Sequence, residues 1–240
     1  MQRWIPLLAL SLVTACATAP SSAPPPGPPD PGAVSSTTES FQATKAVRWA
    51  RDSAERRALS FQIFRAATAH VEKAAASREG GTWGVIADAD ETLIDTSLYQ
   101  VEREQQGLGF TRESWHAWTE RQEAVPLPGA KEFLARVRDL GGKIAVVTNR
   151  RESECADTSA VFGAHGLAYD VILCRPDDGP GDKNPRFQAV MNGTTPAELP
   201  PLEVVAVLGD NIRDFPGQSQ ALMKEGDEAF AEVGVRFCVC

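Results

Sequence analysis

The sequence has no excess of basic residues. Its 240 residues carry 24 Lys and Arg against 32 Asp and Glu, a formal net charge of -8 at pH 7. That excludes a nucleic-acid polymer as partner, because a phosphate backbone demands a basic patch. A small anionic ligand is not excluded, since a few local cations can hold it. Long hydrophobic runs are missing too. The apolar stretch at residues 4–13 is too short to span a bilayer. There are no internal repeats. Histidine is scarce: His70, His116 and His165 are the three, and none sits in an Arg-His-Gly triplet. Chemistry built on a histidine of that type is therefore excluded.

What remains is the composition of a soluble globular protein, 42% hydrophobic and 23% charged. The length allows one domain with a sizeable core plus appended segments. The N-terminus has the layout of a targeting segment. Arg3 supplies a positive charge, residues 4–13 an apolar core, and Val13-Thr14-Ala15-Cys16 resembles a bacterial lipobox. The expectation is a signal peptide over 1–15, cleavage before Cys16 and lipidation of its thiol. Several acyl chains on one cysteine anchor stably where one chain does not. Ala17 and Thr18 follow, with no Asp, which by resemblance to bacterial lipoproteins favours the outer membrane, facing the periplasm or the surface. Residues 16–37, rich in Pro, Ala and Ser, form a tether. Four further cysteines remain. Cys155–Cys174 is a conceivable bridge in an oxidising compartment, and buried free thiols are an equal alternative. Cys238 and Cys240 share a strand face and are poorly placed to pair.

From residue 38 the chain reads as one domain. Residues 41–76 carry a helical pattern, with Leu59, Ile63, Ala67, Val71 and Ala74 on one face. Gly80-Gly81 ends it, and the run Val85-Ile86-Ala87 follows as a buried strand. Residues 98–123 read as short helices over the mouth of a sheet, and 130–140 as a helix with Phe133, Leu134 and Val137 inward. Residues 143–148 and 202–208 are buried strands, apolar on both faces, with shorter strands at 170–173 and 233–239. The alternation of strand and helix argues a parallel α/β sheet flanked by helices.

The candidate chemistry sits at strand ends. The first strand stops at Asp88-Ala89-Asp90-Glu91-Thr92, presenting two carboxylates one residue apart. Carboxylates so close repel, and a divalent cation is the usual reason for them to coexist. A calcium loop is excluded, since its sixth and twelfth positions would be Leu93 and Tyr99 instead of Gly and Glu. Further along come Thr148-Asn149-Arg150, Lys183, and Gly209-Asp210 with Asp214.

This set, in this order, resembles the haloacid dehalogenase-like (HAD) phosphohydrolase superfamily. The resemblance narrows through the lipobox, residues 88–100, Trp115, Pro126-Leu127-Pro128-Gly129-Ala130 and Thr148-Asn149-Arg150-Arg151. Those residues look like the class C acid phosphatases, outer-membrane lipoproteins, over residue 40 to the end. The resemblance implies a Rossmann-like HAD core over 38–240, with N-terminal helices and a small helical cap at about 96–128. It implies a Mg2+-dependent acid phosphatase for small phosphomonoesters, nucleoside 5′-monophosphates (a 5′-nucleotidase activity) and nicotinamide mononucleotide among them. Asp88 is then nucleophile and metal ligand. Asp90 is acid/base, with its backbone carbonyl on the metal, and Asp210 completes the metal set. Thr148, Asn149 and Lys183 hold the phosphate. Asp214 either binds the metal through water or orients Lys183, and a helix cap is its structural alternative. Tyr99, Trp115 and Trp118 are implied as a base-stacking clamp, with core packing as the alternative for each.

Two departures stand out. Ala89 replaces a bulkier apolar residue. The family continues past its last strand with an aromatic segment resembling Pro-Asn-Pro-Met-Tyr, whereas this chain stops at Cys240. The expectation is either a truncated sequence or a member without that wall. Nucleotide preference and any homodimer contact through that tail depend on which. A phosphotransferase on the same site and a non-catalytic ligand-binding lipoprotein are the rival readings.

Overall fold

Five parallel strands bring the expected clusters to one edge. The computed structural model describes residues 41–224 and the backbone of residues 236–238. The expected signal peptide, the Cys16 lipidation site, the tether and Cys240 lie outside the described residues. The strands are β1 (Trp83–Ala87), β4 (Lys143–Arg151), β5 (Val171–Arg175), β6 (Glu203–Gly209) and β7 (Arg236–Cys238), in the order β5-β4-β1-β6-β7. Every pairing in this sheet is parallel. A second, two-stranded ribbon pairs β2 (Ile94–Asp95) antiparallel with β3 (Val125–Pro126).

The strands are apolar throughout because both faces are covered. Val85, Ala87, Ile144 and Val146 point to one core, with Phe64, Phe133 and Phe162 from helices α2 (Ala54–Ala75), α5 (Ala130–Asp139) and α6 (Cys155–His165). Ile86, Ala145 and Val147 point to the other, with Phe187 and Val190 from α7 (Asn184–Asn192). Each large side chain so buried contributes about 2 kcal/mol. Gly84 is required here, since a Cβ on it would come within 2.6 Å of the Lys143 carbonyl oxygen.

The first helix departs from expectation. It is two helices, α1 (Lys45–Asp52) and α2, broken at Ser53, whose φ and ψ are -80° and 135°. The Ser53 hydroxyl accepts from the Arg56 N–H at 3.1 Å, capping α2. The buried face of α2 is Arg56, Ser60, Phe64, Ala67 and Val71, rotated from the expected stripe. Arg56 and Ser60 take positions a hydropathy pattern rejects, because Asp95 lies 4.0 Å from Arg56 and the Pro128 carbonyl accepts from Ser60. The expected cap helices are α3 (Ser97–Gln105) and α4 (Arg112–Thr119). Strand β4 runs three residues past its expected end, with its register to β5 shifting between Val147 and Arg151.

The bridge Cys155–Cys174 is formed, tying the start of α6 to β5 with a Cα–Cα separation of 6.1 Å. Of the two expectations for these residues, the disulfide is the one observed. Among the described residues, no helix is long and apolar enough to cross a membrane.

Candidate active site

The neighbours of the central strand β1 are β4 and β6, so their carboxyl ends converge on one crevice. In open α/β sheets such a crevice is where ligands bind. Asp88 is the first residue past β1, and its N–H still donates to the Leu208 carbonyl at 3.0 Å. The ladder therefore fixes its backbone, and its side chain is almost wholly enclosed.

Lys183, 3% exposed at the N-terminus of α7, reaches across to this carboxylate. Its ammonium donates to Asp88 Oδ1 and to Asp214 Oδ1, the latter at 2.6 Å. Asp214 sits in the 3-10 turn after β6, where its second oxygen accepts from the Asn211 N–H at 2.9 Å. Gly209 makes room for it, since a Cβ there would lie 2.3 Å from the Asp214 Cβ. Asp210 completes the group: oxygens of Asp88, Asp210 and Asp214 lie within 4.8 Å of one another.

Three carboxylates share one ammonium. Burial pushes Asp88 well above the usual carboxylate range, with Lys183 opposing and Asp214 and Asp90 adding to the rise. Burial, then Asp214, pushes Asp210 up to about 6. Burial alone would depress Lys183, yet Asp88 and Asp214 hold its pKa above the ordinary value, so it stays charged. Hard carboxylate oxygens short of positive charge are the donor set that a divalent cation such as Mg2+ takes. The donor set thus fits the expected metal through Asp88 and Asp210, and brings Asp214 into it. The Asp90 carboxylate points elsewhere, so any share of Asp90 in the metal site falls to its backbone carbonyl.

That carboxylate is held by Arg150, a partner the sequence reading missed. Arg150 Nη2 donates to Asp90 Oδ1 at 2.8 Å, and Nε lies 3.0 and 3.1 Å from the two oxygens. The guanidinium is 2% exposed, donates to Thr158 Oγ1 at 3.2 Å, and stacks 5.5 Å from the Trp115 ring centroid. Its place in Thr148-Asn149-Arg150 was the available signal. Glu91 was missed also. It has φ 55°, a left-handed conformation costly for a non-glycine residue. Its carboxyl accepts from the Thr96 N–H and hydroxyl, while its N–H closes on the Ile94 carbonyl at 2.8 Å. The tight turn after Asp90 is fixed this way. Burial, then Asp90, raises Glu91 to about 7.

Thr148 is fully buried and accepts from the Arg150 N–H at 3.1 Å, which leaves its own hydroxyl proton to donate. Asn149 is exposed. Its amide donates to the Gly181 carbonyl and accepts from Arg186, at 3.0 and 2.7 Å. Arg186, also missed, donates to the Thr148 carbonyl as well and pins the strand end.

Of the two expectations for each aromatic, core packing is the one observed for Tyr99 and Trp118. Tyr99 is 1% exposed, and its hydroxyl pairs with Ser114 at 2.8 Å. Trp118 is 3% exposed and stacks on Trp115 at 5.4 Å. Both are core, with no free face for a ligand, because α3 and α4 pack through them. Trp115 is half-buried and lines a cleft of about 360 Å3 with Asp90, Phe110, Asn149, Arg150 and Glu154. Phe110, 62% exposed, is the aromatic that the sequence reading overlooked.

Known proteins resemble this chain in family and in fold. Residues 34–231 match the family model of the acid phosphatases of HAD superfamily subfamily IIIB. Two structures of the class C acid phosphatase from Bacillus anthracis resemble this one. The first, with tungstate bound, is 24% identical over 80% of this chain and 81% of that one, with a TM-score of 0.67. The second is 22% identical over 80% of each chain, with a TM-score of 0.65. With a match over most of its length to that model, the chain belongs to the HAD superfamily, subfamily IIIB, the acid phosphatases.

Proposed function

We propose that the chain is a Mg2+-dependent acid phosphatase that removes phosphate from small monoesters, nucleoside 5′-monophosphates among them, through a phosphoryl-Asp88 intermediate. The observation that supports this best is the convergence of Asp88, Lys183, Asp210 and Asp214 at the tip of β1. An Asp88 oxygen attacks phosphorus as the ester P–O bond breaks. Asp90 gives its proton to the leaving alkoxide, then takes one from water as that water attacks phosphorus and frees Asp88. Lys183 and the Thr148 hydroxyl face the phosphoryl oxygens, where charge shifts in the transition state. A divalent cation held by Asp88, Asp210 and Asp214 supplies further positive charge there when bound. Release of p-nitrophenol from its phosphate by metal-loaded protein tests the reading, and no release above background from folded protein sinks it. Adding an alcohol acceptor separates hydrolysis from phosphoryl transfer.

The lipobox reading supports an outer-membrane enzyme tethered through Cys16, with residues 16–37 as spacer. Cys16→Ser should move the protein out of the membrane fraction; unchanged fractionation refutes the anchor.

A further inference from the structure

We infer that this phosphatase prefers monoesters whose leaving group carries a flat ring and a second anionic group, a nucleoside bisphosphate being the type. The inference rests on the acid/base role given to Asp90. A group that protonates the leaving oxygen must face the leaving group, and Asp90 faces the cleft of about 360 Å3. That size suits a small ligand. The walls then specify what sits there.

Arg112, Arg151 and Arg175 all line this cleft. Arg150 is already taken by Asp90, but among the described residues these three guanidinium groups form no ion pair. Arg175 Nε is moreover buried without a hydrogen-bond partner. The opposing carboxylate, Glu154, is engaged: it accepts from the Arg151 N–H at 2.9 Å and lies 3.7 Å from His116. Three guanidinium groups gathered in one cleft without a close ion pair among the described residues are out of keeping with a chain of net charge -8. Guanidinium groups present planar, two-pronged donors that match phosphate or carboxylate oxygens. The phosphoryl group under attack is served by Lys183, so this second set of donors answers a second anion. The exposed Phe110 ring and the Trp115 ring, 6.2 Å apart, give the same cleft an aromatic wall.

The test compares phosphate release from adenosine 3′,5′-bisphosphate and AMP, and from carboxyphenyl phosphate and phenyl phosphate. The expected kcat/KM ratio is at least about tenfold for the doubly anionic member, the scale of a charge-assisted hydrogen bond. That exceeds the factor of two given by a second cleavable ester. The ratio should shrink as salt rises. In Arg112→Gln/Arg151→Gln it should fall to about one, with melting temperature checked against the parent. A parent ratio at or below one, with AMP and phenyl phosphate turned over, overturns the inference and leaves the phosphatase reading standing. A preference that survives the double substitution also overturns it. Failure to hydrolyse any of the four esters overturns both.

Discussion

At the tip of β1, Asp88, Asp90 and Asp214 each have a cationic partner; in the cleft lined by Trp115, three guanidinium groups form no ion pair among the described residues. The tip is enclosed and internally paired through Lys183 and Arg150. The cleft is open, and the guanidinium groups of Arg112, Arg151 and Arg175 on its wall are not tied to a carboxylate within it. The difference separates two tasks on one phosphoric monoester hydrolase. Fixed, mutually paired groups suit bond chemistry, which needs preorganisation. Unpaired groups suit recognition, because the ligand brings the missing partner.

Substitutions can break this contrast. The largest effect belongs to the tip. Asp88→Asn should lower kcat by at least about 10^4-fold, the scale for losing a covalent nucleophile. The same substitution should raise the metal-free melting temperature at pH 7, since it removes a carboxylate that burial disfavours. Activity near that of the parent refutes the nucleophile. Arg150→Ala should cost about 10^2-fold in kcat by misplacing Asp90. The pH–rate profile should shift too, which a merely structural loss would not produce. Trp115→Leu should do least, raising KM about threefold with kcat unchanged, in line with one aromatic contact. An equal fall in kcat would move Trp115 from the cleft to the tip.

Acid and metal sharpen the comparison further. Asp210 and Glu91 are pushed up to about 6 and 7 in the folded protein. Carboxyls so raised add stability below their unfolded values, near 4, and lose it as pH climbs through 6 and 7. Metal-free protein should therefore lose stability between pH 4 and 7. Added Mg2+ should raise the melting temperature more at pH 7 than at pH 5, because ligands must be deprotonated to bind. Equal shifts at both values would contradict the metal assignment. Breaking the Cys155–Cys174 bridge with Cys155→Ser should cost about 3 kcal/mol of stability, from the loop it closes.

The tip was legible in the sequence because strand ends keep their order along the chain. Asp88 and Asp210 follow apolar runs that read as strands, whereas Lys183, after a turn-rich loop, and Asp214 were marked only by their order in the set that resembles the HAD superfamily. The cap was harder to read. Tyr99, Trp115 and Trp118 look alike in sequence, and only the packing of α3 on α4 buries two and leaves one half-exposed. Phe110 and Arg112 fall in a polar stretch with no periodicity. Arg150 stood in plain view, but its partner Asp90 is 60 residues away. The break at Ser53 was hidden because the stripe that marked the helix, Leu59 to Ala74, lies wholly after it, and α1 buries no residue to mark its own face.

The central claim is that Asp88 carries the phosphoryl group. Asp90→Asn should slow the second step and let that intermediate accumulate. Acid-quenched single turnover with 32P-labelled p-nitrophenyl phosphate, followed by peptide mapping, reads it directly. The account predicts label on the peptide containing Asp88, dependent on Mg2+ and absent when Asp88 is also changed to Asn. Turnover without protein-bound label, or label on another residue, would contradict it.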